Sequence, residues 1–149
     1  MWSLIINLFI SLGVGGLSSF LTRDSMDIYK YIILPPGAPP SWLFPIVWII
    51  LYILMAISAD IIYKNSKGSF ALGLYGLQLI FNFIWPLLFF NGRSFLAAFI
   101  WLMILWLLVI FMMIKFYKIK PIAAYLQIPY ILWLTYAAYL NLSIYILNR

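Results

Sequence analysis

A chain of 149 residues that is 67% hydrophobic and only 8% charged is not built as a water-soluble globule, since soluble domains carry about 25% charged residues. It has no histidine or cysteine, and its only acids are Asp24, Asp27 and Asp60, which excludes zinc, iron–sulfur and thiol chemistry and any His-based triad or general base. The net charge of +6 sits in short loops rather than in a patch, so it reads as membrane topology and headgroup contact, and no nucleic-acid partner is expected.

The charges leave five windows that contain none: 1–22, 31–59, 68–92, 94–114 and 121–148. Each can hold the ~20 apolar residues that cross a bilayer as a helix. None alternates polar and apolar as a barrel strand does. The expected fold class is therefore an all-α membrane protein, a bundle of five transmembrane helices in one domain over 1–149. Its spans are expected at 2–22, 42–63, 70–90, 94–115 and 121–147, with a lid loop at 23–41.

In the first span no Lys or Arg precedes Arg23, so a cleaved signal peptide, which wants a basic leading segment, is not the expectation. Ser11, Gly15, Ser18, Ser19 and Thr22 fall on one helical stripe. Small residues let helices approach closely in lipid. The other reading is that Ser18 or Ser19 offers a hydroxyl to a ligand.

In the loop, Pro35, Pro36, Pro39 and Pro40 fix the backbone and bias their predecessors away from helix. Gly37 gives that stiff segment one place to turn. A short helix is expected from Ser25 to Tyr31, with Asp27 near its start. Ser41 reads as an N-cap, and Trp42, like Trp2, as an interfacial anchor. A rigid loop leading into an aromatic helix suits a lid, with Tyr29 pointing into a cavity and Arg23 or Lys30 meeting an anionic group. A solvated connector is the alternative.

Span two places Phe44, Trp48, Tyr52, Met55 and Ala59 along one face. Asp60, about one turn from its end, has Lys64 four residues on, which suggests an end-of-helix ion pair rather than a proton relay. Span three carries Gln78, Asn82, Trp85 and Phe89 on one stripe. Amides in lipid need partners, so this face looks at other helices, either as interhelical glue or as the wall of a site. Pro86 suggests a kink near Asn82, and Gly73 and Gly76 suit a close helix contact, including one between subunits. Span four is apolar all round after Ser94 apart from the Trp101 and Trp106 ring nitrogens, and no functional residue is expected there. Span five begins at Pro121 and is interrupted at Pro129, with Tyr130, Trp133, Ala137 and Asn141 along one face.

Lys64, Lys67, Lys115, Lys118 and Lys120 lie on the N-terminal side, against Arg23, Lys30, Arg93 and Arg149 on the other. That balance favours an N-terminus on the positive side of the membrane and a lid outside. The inward faces together give Tyr29, Trp48, Asn82, Trp85, Tyr130, Trp133 and Ala137 under the proline loop. Ring faces with a few amides and hydroxyls suit a large, flat, mostly apolar ligand.

The runs SSFLTRDSM, PPGAPPSWLFPIVWIILYILMAISA, QLIFNFIWPLLFF and IPYILWLTYAAYLN resemble, in the same order, those of the TspO/MBR family. These are the tryptophan-rich sensory proteins, which include the animal translocator protein. The resemblance implies a five-helix membrane protein, often a homodimer, that binds porphyrins such as protoporphyrin IX. It requires no further cofactor and no metal. Some bacterial members promote light-dependent breakdown of the porphyrin, and the two tryptophans tied to that chemistry fall on Trp48 and Trp133. Pocket positions fall on Ser19, Tyr29, Asn82 and Ala137. The sterol-recognition motif of animal members is not kept, its Tyr falling on Leu142 and its Arg on Ile146. Open beside porphyrin binding are a transporter of tetrapyrroles or other hydrophobic ligands and a regulatory partner in a membrane complex. The location expected is the cell membrane of a bacterium.

Overall fold

The computed structural model describes residues 1–66 and 69–149. Lys67, counted above among the bases on the N-terminal side, lies outside the described residues. With no water to satisfy backbone groups in hydrocarbon, long apolar segments close their hydrogen bonds internally as helices. Among the described residues five stretches do so at spanning length: Trp2–Thr22, Leu43–Asn65, Phe70–Asn91, Phe95–Ile119 and Pro121–Leu147. The chain runs α1 (Trp2–Thr22), a 3₁₀ turn at Met26–Lys30, α2 (Leu43–Asn65), α3 (Phe70–Pro86), a π turn at Leu87–Asn91 and α4 (Phe95–Ile119). The last span is divided into α5 (Pro121–Tyr125) and α6 (Ile128–Leu147). Around the bundle α1 packs on α2, α2 on α5, α5 and α6 on α4, α4 on α3, and α3 back on α1.

Helix α4 is apolar all round, yet it is the strut of the bundle. Ala98, Leu102, Leu105, Val109, Met112 and Phe116 are buried at alternating steps of four and three, facing α3 and α6. Its two indole N–H groups are taken by neighbours, Trp101 by the Phe81 carbonyl and Trp106 by the Thr135 hydroxyl, each at 2.9 Å. The helix also runs one turn further than the charge-free window, carrying Lys115 and Lys118 within it.

Helix α1 is joined to the rest by small and hydroxyl residues. It buries only Ser11, Ser18 and Thr22, while Phe9, Leu17 and Phe20 face outward. Gly15 is where α2 comes closest: a Cβ added there would stand 2.4 Å from the Tyr52 ring. The close-packing reading of Gly15 therefore holds. Lower down, the Ser11 hydroxyl meets the Tyr75 hydroxyl and the Ser3 hydroxyl donates to Asp60. Asp60 also pairs with Lys64 at 2.8 Å, the end-of-helix pair that the spacing suggests.

Three local expectations need correcting. Ser41 does not cap α2: the helix begins at Leu43, Trp42 holds the cap position without a side-chain bond, and the Leu43 N–H goes to the Pro40 carbonyl. The break in the last span falls at Leu126 and Gln127 rather than at Pro129, which takes one of the first positions of α6, where its missing N–H costs nothing. Gly73 and Gly76 make no close helix contact within the chain, since a Cβ at either would meet nothing within 4 Å. Pro86 acts near its expected place, as α3 widens into the π turn directly after it.

Candidate functional site

A cavity of about 510 Å³ lies under the 23–41 loop, between α1, α2, α3 and α6, within the size range of small-molecule sites. Helix α2 supplies Phe44, Trp48 and Tyr52; α3 and its π turn supply Asn82, Trp85 and Phe89; α6 supplies Trp133, Ala137 and Asn141. Each set repeats at three or four residues, so one face of each helix is presented to the hollow.

The aromatic wall is built edge to face. Tyr29 meets Phe44 with ring centroids 5.5 Å apart, Phe44 meets Trp133 at 5.9 Å, and Trp133 meets Trp48 at 6.5 Å and 89°. Such contacts fix ring orientation as well as burying area. Among the described residues, no protein acceptor meets the indole N–H of Trp48 or Trp133, whereas those of Trp85, Trp101 and Trp106 are all taken.

Behind this wall runs a directed set of hydrogen bonds. The Tyr52 hydroxyl donates to Asn82 Oδ1 at 2.9 Å, and Asn82 Nδ2 donates to the Tyr130 hydroxyl at 2.8 Å. Tyr130 in turn donates to Gln78 Oε1 at 2.7 Å. Beside it, Trp85 Nε1 donates to Asn141 Oδ1 at 3.0 Å, and Asn141 Nδ2 to the Phe95 carbonyl at 2.8 Å. These partners are what a polar group in hydrocarbon requires, and they hold α2, α3, α4 and α6 in register around the hollow.

The lid is held by its carbonyls. Tyr29 donates to the Pro39 carbonyl at 2.7 Å, Tyr139 to that of Pro36 at 3.0 Å, and Tyr136 to that of Gly37. Asn148, just past α6, grips both sides of the Ile33 backbone, at 2.8 and 2.9 Å. Gly37 adopts φ +83°, a conformation that only glycine takes cheaply. Partial burial, with the Tyr136 phenol second, raises the Tyr29 pKa above the ordinary tyrosine value.

Of the residues singled out in the sequence, Ser19, Tyr29, Trp48, Asn82, Trp85, Trp133 and Ala137 line the cavity. Tyr130 does not: it is 1% exposed and stands behind the wall, bonded to Asn82 and Gln78. Gln78 is likewise buried behind it rather than in it. Lys30 reaches the rim, paired with Asp27 at 3.4 Å. Arg23 turns away to Asp24 at 3.9 Å and to the face of Phe20, outside the lining. Sequence reasoning missed Leu12, Gly16, Pro45 and Ile49, which also line the hollow. They carry no polar atom, and only the antiparallel pairing of α1 with α2 brings them together.

Comparison with known proteins agrees with this architecture over the whole chain. The sequence profile of the TspO/MBR family matches residues 6–147. The chain is 33% identical to the tryptophan-rich protein TspO of Chlorobaculum tepidum, over 98% of its own length and 94% of the relative's. It is 31% identical to the tryptophan-rich sensory protein of Cereibacter sphaeroides, over 99% and 92%. With the translocator protein of Homo sapiens the identity is 30%, over 91% and 83%.

Proposed function

The chain belongs to the TspO/MBR family of membrane proteins, and on that premise we propose that it is a receptor-like protein that binds porphyrins of the protoporphyrin IX class beneath the lid. The observation that carries the reading is the mutually perpendicular pair Trp48 and Trp133 at the edge of a hollow of about 510 Å³. A flat macrocycle gains ring contacts from such walls. Asn82 in the lining supplies one of the few polar contacts that orient a mostly apolar ligand. Lys30 at the rim suits a carboxylate that stays at the water boundary.

Trp48 and Trp133 also favour a second activity, loss of the bound porphyrin in light and oxygen, because an excited macrocycle would have both indoles beside it. Two copies are proposed to associate through the face of α3 that carries Gly73 and Gly76, which the single chain leaves open. The membrane proposed is the cell membrane of a bacterium.

The deciding experiment is quenching of tryptophan fluorescence by protoporphyrin IX in detergent. Saturation at one ligand per chain is the expected result. Quenching that rises without saturating, as it does for free indole, removes the reading.

A further inference from the structure

Among the described residues, the lining of the cavity is exposed along one seam only. Every exposed lining residue belongs to α1, to the loop after it, or to Ser41 and the start of α2, whereas the α3, π-turn and α6 contributions are all buried or half-buried. The seam begins at Lys30 and Ser41 and descends between Gly16 and Leu12 of α1 and Pro45 and Ile49 of α2. From Thr22 to Leu12 a helix descends about 15 Å, which is about half the thickness of a bilayer's hydrocarbon core. Below Ser19 the edges are apolar and within membrane-spanning helices, so what they face is acyl chain, not water.

The lid is fixed to α6 by Tyr136, Tyr139 and the paired bonds of Asn148. Along the seam α1 offers glycine and small hydroxyl residues, and a Cβ at Gly16 meets nothing within 4 Å. The helices touch at Gly15 and Tyr52, just inside that edge.

Building on the reading of the cavity as a ligand site, we propose that it is loaded sideways from the bilayer. The ligand is a membrane-dissolved amphiphile that slides between α1 and α2 with its polar group held at Lys30 and Ser41. The lid stays shut during exchange. Polar and apolar parts of the ligand then never leave the phase that suits them, which a route through the lid would require of the apolar part.

The test uses the full chain in phosphatidylcholine vesicles, with protoporphyrin IX as probe and stopped-flow tryptophan quenching as readout. Gly16→Trp sets a bulky ring at the edge of the seam; association and dissociation should both slow by about tenfold. Gly13→Trp adds the same ring to α1 away from the cavity, where a Cβ also meets nothing within 4 Å, and should exchange like the unmodified chain. Tyr136→Phe/Tyr139→Phe removes two lid bonds and should leave both rates unchanged. Unaltered rates in Gly16→Trp, or faster exchange in the lid variant, would overturn the proposal while leaving binding intact. Should Gly16→Trp lower affinity itself, the lid variant decides. An unmodified chain that gives no saturable quenching takes down the binding reading and the side route together.

Discussion

Asn82 and Tyr130 are joined at 2.8 Å, the amide donating to the phenol oxygen. One forms the cavity wall and the other stands behind it. Because Tyr52 also donates to Asn82 at 2.9 Å, this one amide ties α2 and α6 to α3. Asn82→Leu should therefore cost about 1–3 kcal/mol, the usual price of leaving buried polar partners unmatched. Thermal unfolding in detergent reads it. A loss no greater than that of an exposed change such as Leu77→Ala would mean that the network does not hold the helices.

Ala137 and Tyr130 lie on the same helix yet should respond oppositely. Ala137 lines the hollow and is 7% exposed, so Ala137→Thr fills ligand space and should weaken protoporphyrin IX binding by about tenfold, or 1.4 kcal/mol. Tyr130→Phe removes a hydroxyl that lies outside the cavity lining. Its effect should appear in thermal stability, with affinity changed by less than about twofold. Equal loss of affinity in the two variants would place Tyr130 in the site after all.

Haem should bind no better than the metal-free macrocycle. The chain has no histidine or cysteine, the cavity lining includes no methionine among the described side chains, and of its two tyrosines Tyr29 donates to Pro39 and Tyr52 to Asn82. An iron centre would therefore have to break a bond of the wall or the lid to gain an axial ligand from the described lining. Parallel titrations with protoporphyrin IX and haemin check this, and a tyrosinate charge-transfer band with tighter haemin binding would contradict it.

Much of this arrangement is legible in the residue pattern because membrane helices advertise themselves twice. The charge-free windows mark the spans, and steps of three and four along 48–59, 78–89 and 130–141 mark the faces turned inward. Periodicity gives a direction but not a depth, which is why Tyr130 and Asn82 looked equivalent. The first lines no cavity because α2 and α3 close over it. The contribution of α1 was half visible: Ser19 stood out as a hydroxyl, whereas Gly16 and Leu12 have nothing to mark them. Ser41 misled because a capping residue is favoured where the chain is free to use it, and here the prolines before it set the backbone first.

Illumination separates binding from chemistry. Trp48 and Trp133 lie 6.5 Å apart at the cavity, and phenylalanine keeps most of the apolar contact while removing the oxidisable indole. The double change Trp48→Phe/Trp133→Phe should slow light-dependent porphyrin loss by about tenfold, 1.4 kcal/mol in barrier terms, with affinity reduced far less. Absorbance decay of the complex under constant light and oxygen provides the measurement. Equal decay in both proteins would remove the light-dependent activity from the proposal.

The lid should loosen only well into the alkaline range. Tyr29 donates to the Pro39 carbonyl, and burial followed by the Tyr136 phenol raises its pKa above the ordinary tyrosine value of 10.0. Between 10.0 and the raised value the folded chain keeps a proton that the unfolded chain has released. Its contribution to stability is therefore complete below that window and declines as pH rises through it. Past the folded value the phenolate can no longer donate, and it faces a carbonyl oxygen instead. A tyrosinate absorbance titration of the native chain minus that of Tyr29→Phe isolates this one group. The difference step should fall above 10.0 and coincide with faster backbone hydrogen exchange at Ala38, whereas a step at or below 10.0 would show the phenol to be solvated rather than engaged with the lid.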